Sequence, residues 1–368
     1  MRTILKTIAI LGIAVFLPSP FPVWGQPTPT VDSVGRALAD RQPGGVVIGV
    51  LHDDRTSVHS FGAADSTGSA PTARTLFEIG SVTKTFTGLL LADAIARSPV
   101  DSSTPVAALL PDSVALAPAD STTMTLAHLA THRSGLPRLP ANLNPAVRPD
   151  DPYAAYDAQA LHAFLDGHVP PRPPGVQYEY SNLGVGLLGH LLARRADTTY
   201  AALVRQRITG PLGLSDTRAA LSKEQRRRVA QGHNRAGAPT SPWHFEALAG
   251  AGALRSSAAD MLTYLRTHRR ALRADPDSTS ILARAMRRAA TPHAPTGREG
   301  TRIGYGWHQS TRGGHRIVWH NGGTGGFRSF VGLSRETGRG VVMLVGTAVA
   351  SDQVTRAGWD LLRASRPH

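Results

Sequence analysis

The spacing of apolar and polar positions changes period twice along the chain. Residues 31–41 carry apolar positions at helical spacing and are expected to form a first helix. Residues 45–51 are a β-branched run, Asp53, Asp54 and Arg55 read as a turn, and 57–61 read as a second strand, together a hairpin. A loop of small polar residues and glycine, 62–74, leads to a helix that starts at Ser81 and runs on through Leu89, Leu90 and Ile95. From Val100 the period is helical, with segments at 105–110, 125–131, 156–166, 184–195, 200–208 and 258–272 between Pro and Gly breaks. Beyond about residue 300 strands return at 316–320, 327–333 and 340–345, the last two joined by a turn at 336–339. Residues 351–364 close the chain as a helix. Strands at both ends imply one sheet assembled from both termini, with a helical region inserted in its middle. No internal repeat is visible.

Composition narrows the class. The 368 residues, 41% hydrophobic with 27 Pro and 37 Gly, describe a loop-rich globular chain able to bury a sizeable core. Residues 1–25 read as a secretory signal: Arg2 and Lys6 form a charged start, 8–17 an apolar segment, and Val23, Trp24 and Gly25 a cleavage pattern made imperfect by the Trp. The apolar run is short for a membrane span. Export to the periplasm or beyond is expected, with no membrane attachment after cleavage. Residues 26–368 then form one domain, 26–99 and 300–368 its α/β part and 100–299 a mostly helical insertion. With no cysteine, disulfides, thiol catalysis and an N-terminal lipidated Cys are excluded. The net charge of +14 invites a nucleic-acid reading, but the paired arginines (Arg194 and Arg195, Arg226 to Arg228, Arg269 and Arg270) are not interleaved with aromatics. A basic solvated surface, attracted to anionic envelope polymers, fits an exported protein better.

Three stretches carry chemistry. In FEIGSVTKTFTG (77–88), Ser81 and Lys84 stand three apart, about 60° on one helix face at about 100° per residue, and can touch. A hydroxyl beside an amine is a nucleophile beside a base, and a helix N-terminus adds N–H groups aimed at a developing anion. The competing reading is a Ser N-cap and an exposed Lys. Against it, among 40 Lys and Arg residues only Lys6, Lys84 and Lys223 are lysines. Lysine can lose its proton near neutral pH in a desolvated site; arginine cannot. The second stretch, QYEYSNLG, sets Tyr180 and Asn182 two apart before a helix, where Asn182 could equally be a cap. The third, WHNGGTGGF (319–327), ends a strand with His320 and glycines whose unhindered N–H groups could hold an oxyanion, or which simply make a hairpin loop.

Taken together, S-x-x-K, Y-x-N and H-x-G occur in the order of one family. With LAHLATHRSGLP (126–137), RITGPLGLSDT (207–217) and AGALRSSAADMLTYL (251–265), the chain resembles the class C β-lactamase-like serine hydrolases from about Val47 to Leu362. That group includes D-alanyl-D-alanine carboxypeptidases, D-aminopeptidases and esterases. The resemblance implies an α/β fold with an antiparallel sheet flanked by helices. It makes Ser81 the acyl-accepting nucleophile, with Lys84 and Tyr180 sharing its proton and the choice of base left open. Asn182 would hold Lys84 and the substrate's amide side chain, and the N–H groups of Ser81 and Gly323, beside Gly322, would form the oxyanion hole.

One departure bears on substrate. Class C enzymes usually carry Lys then Thr where His320 and Asn321 stand here, and a histidine, with a reference pKa of about 6.5, is only partly charged at neutral pH. Arg328 is a candidate replacement cation. No G-x-S-x-G elbow is present. His128 and His132 are spaced like metal ligands, but Leu129 stands where a zinc protease needs Glu, so both read as ordinary helix residues and no metal or cofactor is expected. The expected partner is a small-molecule or peptide substrate, β-lactam, D-alanyl peptide or small ester, with peptidoglycan a candidate and nucleic acid excluded. The alternative is a non-catalytic envelope-binding protein that keeps the fold.

Overall fold

A computed structural model describes residues 29–40, 43–97, 100–117, 120–275, 280–312 and 314–364, so the expected signal at 1–25 lies outside the described residues. The hairpin forms as β1 (Val46–His52) and β2 (Arg55–Phe61), turning at Asp53, whose φ of 52° is the left-handed conformation a tight hairpin uses. Two short strands follow, β3 (Phe77–Glu78) and β4 (Arg255–Ser256), which pair with each other outside the main sheet. The C-terminal region adds β5 (Ala294–Pro295), β6 (Thr301–Ile303), β7 (His308–Arg312), β8 (His315–Gly323), β9 (Arg328–Ser334) and β10 (Gly340–Val345). The main sheet is antiparallel in the order β2-β1-β10-β9-β8-β7-β6-β5. Both chain ends therefore meet in it, with Val46 opposite Val345 and Ile48 opposite Met343.

The helices are α1 (Val31–Ala39), α2 (Thr83–Arg97), α3 (Leu126–Ala130), α4 (Ala158–Leu165), α5 (Asn182–Arg195), α6 (Tyr200–Val204), α7 (Lys223–Arg226), α8 (Ala249–Gly252), α9 (Ala258–Arg273), α10 (Ile281–Ala290) and α11 (Ser351–Arg363). Strand alternation sorts the core into two layers. Val46, Ile48, Val341, Met343 and Val345 pack under α1 and α11 with Val34, Leu38, Val354 and Leu362. Val47, Leu51, Val342 and Leu344 face the other way, onto Met261 and Leu265 of α9 and the helical region behind it. Because both faces are covered, β1 and β10 read as continuous apolar runs.

The expected α/β architecture is the one observed. Local differences have physical causes. Residues 105–110 make only a 3-10 turn (Ala107–Leu109), and the 200–208 segment ends in a π turn (Arg205–Thr209). Strands β5 to β7 were not expected, because exposed residues such as Arg302, Thr311 and Arg312 break their apolar alternation. Helix α10 also falls outside the expected elements, although Ala285, Met286 and Ala289 bury one of its faces. Among the described residues no helix is long and apolar enough to cross a membrane, and no group of three acidic or His side chains could hold a metal ion.

Candidate active site

The nucleophile segment is pinned from below. Glu78 and Arg255, both buried, pair at 3.1 Å across β3 and β4. Three residues on, Ser81 sits in a 3-10 turn (Gly80–Val82) that hands over directly to α2, a helix buried from Thr83 to Asp93. The turn leans against the end of β8. Gly80 has φ 48°, and a Cβ there would lie 2.7 Å from Gly323 N and O; one on Gly322 would lie 2.0 Å from Ile79 O. Only glycine permits that approach. It sets the backbone of Gly323 against the turn that carries Ser81.

Lys84 is fully buried and has two partners. Its amine donates to Ser81 Oγ at 3.0 Å and to the carbonyl of Ala251, in α8, at 2.7 Å. Burial, reinforced by the Arg138 guanidinium, holds its pKa well below the ordinary lysine value. Tyr180 comes from the turn before α5, with Lys84 Nζ 5.0 Å and Arg138 5.2 Å from its ring centre. Burial pushes its phenol up to about 12, with Ser81 and Arg138 pulling the other way. Ser81 and Tyr180 open onto a cleft of about 960 Å³, together with Tyr178, His308, Trp319 and Gly323.

The remaining expected residues sit differently. Asn182 makes no hydrogen bond to Lys84: its Nδ2 donates to Tyr153 Oη at 3.1 Å, and the amine donates to the backbone carbonyl of Ala251 instead. Its Oδ1 is buried without a protein partner among the described residues. Ser181, not Asn182, caps α5, accepting from Gly184 N at 2.8 Å. His320 is 1% exposed, its ring 6.4 Å from that of Tyr180 and 5.1 Å from that of His308, while its β8 neighbours Trp319 and Asn321 point to the opposite face of the strand. Burial, with His308 and Lys84 adding repulsion, drives its pKa well below 6.5, so the imidazole is neutral where the sequence led us to expect a partial cation. Arg328 spends its donors on the carbonyls of Thr324, Phe327, Ala348 and Val349. It braces the glycine loop and is no free carboxylate receptor.

Two contributors escaped the sequence. The Ala251 carbonyl carries no side-chain signal at all. His132, read as a helix residue, lies beyond the end of α3 with φ 56°, 1% exposed, its ring 4.4 Å from that of Tyr180.

A hydroxyl in contact with a buried amine whose pKa is held well below the ordinary lysine value, at the start of a helix and beside a glycine-bearing strand end that lines the cleft, is the apparatus of a serine hydrolase. The beta-lactamase family model matches residues 31–364, and the chain belongs to that family. It is 26% identical to a beta-lactamase of Pseudomonas fluorescens, over 91% of this chain and 97% of that one. It is 27% identical to a beta-lactamase of Escherichia coli K12, covering 87% and 88% of the two chains. A D-alanyl-D-alanine-carboxypeptidase/endopeptidase, AmpH of the same strain, is 26% identical over 82% of this chain and 79% of its own. The resemblance seen in the three motifs is thereby borne out.

Proposed function

We propose that this protein is an exported serine hydrolase that cleaves a β-lactam, a D-alanyl peptide or a small ester through an acyl-enzyme on Ser81. The observation that carries this reading is the 3.0 Å contact between Ser81 Oγ and the buried Lys84 amine. The Ser81 proton passes to Lys84 as Oγ attacks the carbonyl carbon. The oxyanion forms against the N–H groups of Ser81 and Gly323, each such donor worth about 2.7–4 kcal/mol. Collapse expels the amine or alcohol, which takes a proton through Tyr180. Water, losing its proton to the same pair, then releases the acid. A phenol raised to about 12 keeps its proton at neutral pH, which favours Lys84 as the base and Tyr180 as the relay.

The relatives' names support a β-lactam or D-alanyl substrate. The neutral, buried His320 supports the ester end of the range, since it supplies no fixed charge for a β-lactam carboxylate. The test is a panel of nitrocefin, a D-alanyl-D-alanine peptide and p-nitrophenyl esters, run with Ser81→Ala as control. Ser81→Ala is expected to abolish every activity, and wild type to turn over small esters faster than nitrocefin. His320→Lys is expected to raise the nitrocefin-to-ester ratio; a fall in that ratio would sink the charge argument.

A further inference from the structure

Helix α3 ends at Thr131, and the next residue adopts the left-handed conformation common at that position, where glycine or asparagine is usual. Here it is His132, with φ 56°, a conformation that strains a residue with a Cβ. Such strain persists where the surroundings hold it, and here, besides the N–H bond back to Leu129 O at 3.4 Å, the holds are on one segment. The His132 carbonyl accepts the Glu179 N–H at 2.8 Å. Its Nδ1 accepts the Ser181 N–H at 3.1 Å. Its ring lies 4.4 Å from the ring of Tyr180, tilted by 31°, and 5.7 Å edge-on from that of Tyr178. Tyr180 is thus held through the peptide that follows it and through the one before Glu179, and its ring packs against the same imidazole. The Nδ1 acceptor role places the proton of the neutral ring on Nε2, which is buried with no protein partner among the described residues.

We propose that His132 is the positioning residue for Tyr180: a neutral, tautomer-fixed imidazole, held in a left-handed backbone, that sets the Tyr180 phenol against Ser81. The proposal rests on the reading of Tyr180 as proton relay. It assigns no contact with substrate to His132. Glycine at position 132 relieves the backbone strain while removing both ring and acceptor. Asparagine tolerates the same φ and returns an acceptor for the Ser181 N–H.

The test is a double-mutant cycle on a p-nitrophenyl ester with wild type, His132→Gly, Tyr180→Phe and the double variant, together with His132→Asn and thermal unfolding of each. His132→Gly is expected to lower kcat by about tenfold or more with KM changed less than about threefold. His132→Asn is expected to recover at least about threefold of that loss. The double variant is expected to be no slower than Tyr180→Phe within about twofold, because the histidine acts through the phenol. A merely structural role would give additive losses, with unfolding midpoints falling in step, and would overturn the proposal. So would wild-type kcat in His132→Gly, or a change in KM alone. If His132→Gly does not fold, His132→Asn carries the cycle, and its smaller loss must vanish in the Tyr180→Phe background. A Tyr180→Phe variant at wild-type rate overturns the relay reading and this one with it. Loss there with additivity at His132 overturns this one only.

Discussion

Lys84 touches a hydroxyl and a carbonyl and has no acidic partner among the described residues, so burial outweighs those two hydrogen bonds and lowers its pKa. That makes a base of a side chain that in water would be a cation. The sign follows directly. Neutral Lys84 is the competent form, so activity is present above its pKa and is lost as pH falls through it. Tyr180 at about 12 stays protonated across the working range. The kcat/KM profile on a neutral ester is therefore expected to show one ascending limb, well below the ordinary lysine value, and no descending limb through pH 10. A limb that rises only near pH 10 would contradict the burial argument. Lys84→Arg, which keeps charge and bulk but cannot give up its proton, is expected to lose kcat by about a thousandfold or more. Ser81, Lys84 and Tyr180 were legible in the sequence because their chemistry resides in side-chain type and short spacing. His320 was legible by type but not by place. Which face of a strand a residue takes is decided by register, and the pairing of His320 with Val331 sets it on the buried face with Tyr180, where its charged form is disfavoured.

At the scale of elements, the site exists because a helix start and a strand end come closer than side chains allow. Gly80 and Gly322 have no Cβ to hold α2 and β8 apart, and Ser329 Oγ on the neighbouring strand fixes the contact by donating to Ile79 O at 2.8 Å. Gly322→Ala would set a methyl 2.0 Å from a backbone oxygen that no rotamer change can clear. It is expected to lower stability by about 1–3 kcal/mol and to reduce kcat more than KM, by parting the two N–H groups. Unfolding midpoints and steady-state rates check this; unchanged kcat would place the oxyanion elsewhere. The glycines could be read in the sequence as permitting close approach, but not what approaches. The Ala251 carbonyl and the His132 grip were illegible, since one is backbone and the other depends on a segment 49 residues away.

Across the whole molecule, the sheet is the shared wall of two cores, and the helix that carries Lys84 packs in only one of them. Phe330 is fully buried among Val354, Trp359 and Leu362, on the α11 side. Phe330→Ala is expected to cost about 3–5 kcal/mol of stability, while kcat of the folded fraction stays within about twofold. A selective loss of kcat at unchanged stability would contradict the two-layer description. The layered plan was visible as strands at both ends of the chain with helices between. The short strands β5 to β7 were not, because apolar alternation fails where one face is exposed.

The central claim is an acyl-enzyme on Ser81, and mass spectrometry reads it most directly. Intact protein quenched during turnover of a penicillin or an activated ester is expected to gain the mass of one acyl group, located by digestion to the peptide containing Ser81. The adduct should be absent in Ser81→Ala. An adduct that persists in Ser81→Ala, or turnover with no adduct on any residue under conditions that trap slow deacylation, would contradict the account.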